Sequence, residues 1–115
     1  MNASMNDHQT TILELRRLVA RFVAERNWEE FHTPKNLAMS LAIEAAEVME
    51  HFQWSTAEEA LAAASDEQKR GEVADELADV LAYLLSLATA LQIDLAAALE
   101  SKMQRNAIKY PRPNQ

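Results

Sequence analysis

A single glycine and three prolines punctuate 115 residues. The chain therefore has few places to turn sharply, and long helices are favoured over many short strands. Apolar residues make up 49% of it, with Ala and Leu dominant, both strong helix formers. The length suits one domain around one core, taken as 1–115 with an ordered core over about 8–110.

Periodicity and capping signals divide the chain into four long helices. The first spans about 8–27, with Ile12, Leu15, Leu18, Val19 and Phe22 at helical spacing. Thr33 suits the N-cap and Pro34 the first position of a second helix, 34–53. Thr56 and Glu59 form a capping-box pattern ahead of a short helix, 57–64. Ser65 and Gln68 form another, opening a third long helix that runs to about 91. Asp94 caps a fourth, 95–108, and Pro111 and Pro113 end helical structure. There is no repeat, low-complexity tract or internal boundary, and the tail after Tyr110 is expected to be mobile.

Composition removes several function classes. Cysteine is absent, which excludes disulfides, zinc–thiolate sites and cysteine nucleophiles and fits a reducing cytoplasm. No apolar run approaches the roughly 20 residues of a membrane span, and residues 1–9 lack a signal-peptide pattern. The net charge of −7 repels nucleic-acid backbones and anionic lipid. Neither a nucleic-acid polymer nor a membrane is expected as partner. A phosphorylated ligand remains compatible where cations neutralise the acids.

The acids lie on narrow strips. In the second helix Ser40, Glu44, Glu47 and His51 share an arc of roughly 60°, bordered by Leu37, Leu41 and Val48 on one side and Met39 and Ile43 on the other. In the third, Glu72, Asp75, Glu76, Asp79, Tyr83 and Ser86 share roughly 100°, and apolar residues cover the rest. An ordinary surface helix has the opposite proportions. Both helices are thus expected to be largely buried, each with an acidic seam. One Glu-x-x-Glu pair is ordinarily solvated surface. Two such pairs hemmed in by large apolar side chains need compensation, because buried carboxylates repel and lose hydration. Neither seam is read as holding Lys or Arg. A divalent cation is the simplest remedy, and an all-oxygen set suits magnesium or manganese.

Glu44-Ala45-Ala46-Glu47, 28 further residues, then Glu76-Leu77-Ala78-Asp79 resembles the metal motif of the all-α NTP pyrophosphohydrolases, the MazG-like group. Within it the chain is most similar to the dCTP pyrophosphatases. The wording is close in Asn27-Trp28-Glu29-Glu30-Phe31-His32, in Pro34-Lys35-Asn36-Leu37, in Phe52-Gln53-Trp54, and in Ser101-Lys102-Met103 with Asn106 and Tyr110-Pro111. The likeness covers roughly 13–111. One departure is Val19, where some dCTP-cleaving members carry a His.

The resemblance implies a four-helix bundle and hydrolysis of a (deoxy)nucleoside triphosphate, dCTP or a modified dCTP foremost, to the monophosphate and pyrophosphate. Glu44, Glu47, Glu76 and Asp79 would hold magnesium, and Glu44 or Glu47 would take a proton from water. Lys102, Asn106 and Lys109 share one face of the fourth helix and can hold phosphate or sugar, or be ordinary surface. Trp28 and Trp54, near helix ends, can stack a base or anchor the core. His32 can donate to a ligand or cap the turn before Pro34. His51 can bond a carboxylate or lie at the rim. Tyr83 can touch sugar or pack.

Two rivals remain. A di-iron bundle needs two Glu-x-x-His motifs, and only Glu29 to His32 offers one. A non-catalytic helical metal-binding or interaction protein leaves the paired seams unexplained. Apolar residues cover roughly 220° of the third helix, more than one neighbouring layer buries. A homo-oligomer is therefore expected, a tetramer by resemblance and a dimer as runner-up.

Overall fold

The structure, a computed structural model, describes residues 4–113; residues 1–3 and 114–115, the extremities of the expected domain and tail, lie outside the described residues. Among the described residues all regular structure is helical, in keeping with the expected all-α class. The elements are α1 (Ile12–Glu25), α2 (Pro34–Glu50), the short α3 (Ala57–Ala62), α4 (Glu67–Ala90) and α5 (Leu95–Lys109), with 3-10 turns at Glu29–Phe31 and Ala63–Ser65.

Local hydrogen bonds decide where each helix begins. α1 starts at Ile12, later than expected, because Thr11 and Glu14 form a reciprocal capping box. The residues before it form a separate turn around the Asn6 side chain, which accepts from the N–H groups of His8 and Gln9. Thr33 and Pro34 open α2 as expected, and Thr56 with Glu59 opens α3. α2 ends at Glu50, short of 53, and yields to a turn in which the Ser55 N–H donates to Phe52 O. The box of Ser65 and Gln68 does not form. Asp66 caps α4 instead, accepting from the Lys69 N–H. Its carboxylate also suits the positive end of the helix dipole. Asp94 caps α5 as expected.

α1 and α4 end alike. Asn27 and Gln92 both take φ of 56°, and the next N–H groups, of Trp28 and Ile93, return to the carbonyls of Val23 and Ala88. These are Schellman closures made without glycine. The second one sends α5 off at 98° to α4.

α2 pairs with α4, and α1 packs on α4. Val23, Leu37, Leu85 and Ala88 are the buried apolar residues that join these three helices. Arg16 secures the α4–α5 corner, donating to Thr89 Oγ1 at 3.1 Å and Ile93 O at 2.7 Å. α5 meets other elements only in isolated contacts, so it does not close a four-helix bundle within one chain.

The expected burial of the second and third long helices is likewise not met by one chain. Ile43 on α2 is 60% exposed and Leu77 on α4 is 53% exposed. The radius of gyration is 17.1 Å, against about 13 Å for a compact chain of this length. The accessible surface is 9509 Å², against about 6300 Å² for a compact monomer of this mass. Among the described residues, no single helix is long and apolar enough to cross a membrane.

Candidate active site

Contacts along α2 and α4 run in opposite order. His51, the C-cap of α2, faces Lys69 and Glu76, while Glu44 interacts with Asp79 and His32, just before α2, lies beside Tyr83. The pair is therefore antiparallel, and the two acidic seams face each other. One-turn spacing puts Glu44 with Glu47 and Glu76 with Asp79 on these inner strips.

Oxygen atoms of Glu44, Glu47 and Glu76 lie within 4.8 Å of one another. Asp79 stands outside that trio and is more exposed, yet its charge acts on both Glu44 and Glu76. Burial, followed by the hydrogen bond with Glu47 and the neighbouring negative charges, pushes the Glu44 carboxyl up to about 7. Glu76 is also raised, first by its hydrogen bond with Glu47, then by burial and charge, with His51 opposing. Glu44 Oε2 and Glu76 Oε2 are closed to solvent and receive no hydrogen bond. Buried acceptors without donors are costly. An all-oxygen cluster of this kind fits a hard divalent cation, which would satisfy the orphaned atoms and the repulsion together.

Asp79 also borders a pocket of about 230 Å³ between α1 and α4, lined by Val19, Phe22, Trp28, His32, Tyr83 and Ser86. Trp28 meets Phe22 edge-on, with centroids 5.7 Å apart at 71°. The His32 and Tyr83 rings lie 6.4 Å apart at 33°. Flat apolar walls with a few polar atoms suit a planar heteroaromatic ring. The MazG-like family model matches residues 39–115, which carry all four acids. The chain belongs to the MazG-like family.

Similar proteins extend this. dCTP pyrophosphatase 1 of Rattus norvegicus is 43% identical over 103 residues, covering 90% of this chain and 61% of that protein. The Homo sapiens protein of the same name matches with the same identity and coverage. The chain thus spans 61% of the length of these curated relatives. The crystal structure of a pyrophosphatase from Archaeoglobus fulgidus is 40% identical, with a TM-score of 0.81, covering 95% of this chain and 100% of that one.

In this MazG-like chain, Glu44, Glu47, Glu76 and Asp79 come together, with Trp28, His32 and Tyr83 in the adjoining pocket. Trp54 does not join them: it is 90% exposed in the turn after α2. Lys102, Asn106 and Lys109 ride on the diverging α5 and are not among the residues that line the aromatic pocket bordered by Asp79. Val19, the position of the departure, stands in the pocket wall itself. The expectation that the seams hold no Lys is corrected by Lys69, which reaches His51. It lies about two helical turns before Glu76 on the same strip, a spacing that carried the signal.

Proposed function

We propose that this chain hydrolyses a nucleoside triphosphate between the α- and β-phosphates, releasing the monophosphate and pyrophosphate. The observation that carries the reading is the double placement of Asp79, beside the carboxylate cluster and at the edge of the aromatic pocket. A base held in that pocket extends its phosphates toward the acids. Glu44, Glu47, Glu76 and Asp79 would hold magnesium, with manganese as a substitute. A divalent cation there would supply charge compensation for the triphosphate and lower the pKa of an attacking water. Glu44 or Glu47 receives that water's proton. Trp28 offers a stacking face, while His32, Tyr83 and Ser86 offer polar atoms to the base or sugar.

The substrate favoured is a deoxynucleoside triphosphate, dCTP or a C5-modified dCTP, supported by relatives named dCTP pyrophosphatase 1. The assembly favoured is a homotetramer, with a dimer as runner-up. It is supported by exposed apolar faces on α2 and α4 and by α5, where Leu99, Met103 and Ile108 are all exposed. In such an assembly α5 would carry Lys102, Asn106 and Lys109 toward a neighbouring copy.

The test is a panel of ribo- and deoxyribonucleoside triphosphates with magnesium, products resolved as pyrophosphate or orthophosphate. Pyrophosphate release that stops on metal chelation is expected. Orthophosphate as first product, or no turnover on any triphosphate, would overturn the reading.

A further inference from the structure

A polar pair closes one end of the α2–α4 seam, beyond the four acids. Lys69 Nζ lies 2.9 Å from His51 Nδ1, and His51 Nε2 lies 3.9 Å from Glu76 Oε1. His51 and Lys69 are both half-buried, and each backbone is pinned. The His51 N–H closes the end of α2, and the Lys69 N–H donates to the Asp66 cap. A lysine ammonium has three donors and no acceptor. At hydrogen-bond distance it donates to Nδ1, which therefore carries no proton. The neutral imidazole then holds its proton on Nε2, the atom nearest Glu76. The opposite tautomer would turn a lone pair toward that carboxylate and repel it.

We propose that Lys69 and His51 form a positioning pair for Glu76: the lysine selects the Nε2–H tautomer, and that N–H holds Glu76 Oε1 so that Oε2 is left for the cation. At 3.9 Å the N–H attracts the carboxylate without a formed hydrogen bond. Glu76 Oε2 is the oxygen that is buried and receives no donor. Partners that orient a metal ligand are as much a part of such a site as the ligand itself. The inference rests on the cation-site reading above, but its own signature is visible without metal.

The experiment compares the full chain with Lys69→Met, His51→Leu and His51→Gln. Imidazole nitrogen NMR of the metal-free wild type should report His51 protonated at Nε2, and Lys69→Met should give a mixture of tautomers. Manganese binding, read by electron paramagnetic resonance, should weaken about 10-fold or more in Lys69→Met and His51→Leu. The nucleotide KM at saturating metal should stay unchanged. His51→Gln should retain most of the manganese affinity, because its amide oxygen can accept from Lys69 while its amide N–H faces Glu76. A wild-type His51 protonated at Nδ1 would overturn the proposal. So would wild-type manganese affinity in Lys69→Met, or equal affinities in His51→Leu and His51→Gln. A wild type that binds no manganese would instead bring down the cation-site reading, and this proposal with it.

Discussion

Carboxylate oxygens of Glu47 and Glu76 lie within 4.8 Å of each other across the helix pair. Two acids that close must share a proton or a cation. Glu47→Gln keeps the shape and removes one charge. Turnover should fall about 100-fold or more, with helicity by circular dichroism unchanged. Asp79→Asn should do likewise. Retention of most activity in either variant would remove that residue from the site.

Metal-free stability should depend on pH in a defined direction. Glu44 is raised from 4.5 to about 7, and Glu76 is raised as well. The folded state therefore binds these protons more tightly than the unfolded chain does. The stabilisation is fully present below the unfolded value and is lost as pH rises through the folded one. With chelator present, the melting temperature should fall between pH 5 and pH 8, and magnesium should reduce the fall. A metal-free protein equally stable at both ends would count against the repulsive cluster.

A chain this open should not persist alone. Light scattering should give a multiple of 12.9 kDa. Ile108, 83% exposed near the end of α5, should lie in a contact between copies. Ile108→Glu should then lower the oligomeric state. A wild-type monomer at micromolar concentration would contradict the assembly.

Two backbone positions offer stability gains away from the site. Gln92 holds φ of 56° at the α4–α5 corner, a region that costs a side-chain-bearing residue roughly 1–2 kcal/mol. Gln92→Gly should stabilise by about 0.5–1 kcal/mol, the remainder being offset by glycine's unfolded-state entropy. Gly71 sits inside α4, where an added Cβ meets nothing within 4 Å. Gly71→Ala should add about 0.5–1 kcal/mol. Urea denaturation checks both.

Trp28 should bind bases without choosing among them. Trp28→Ala should raise KM for every nucleotide that is turned over, by about 5- to 160-fold if stacking is worth roughly 1–3 kcal/mol. A loss confined to one base would make Trp28 a reader of the base edge. Comparable kcat/KM for dCTP, dTTP, dATP and dGTP in the wild type would defeat the cytosine preference and leave the pyrophosphohydrolase reading intact.

The sequence by itself determined the helices and the membership of the acid cluster. Helix formation and capping depend on neighbours within a turn, so the caps at Thr33, Thr56 and Asp94 were legible in the chain. Glu44 with Glu47 and Glu76 with Asp79 were legible for the same reason, since spacings of three and four residues impose a shared face. Asp66 replacing Ser65 as the cap of α4 was not legible, because Ser and Asp are both strong N-cap residues and the pattern alone does not choose between neighbours. Only the tertiary structure decided the register in which the two seams meet and which side chains lie beside them. It placed Lys69 on His51 and Asp79 at the aromatic pocket, because contacts between helices depend on their relative register. It also carried Lys102, Asn106 and Lys109 away with α5. The bend that did so depends on one residue, Gln92, adopting a left-handed conformation that side-chain chemistry does not demand.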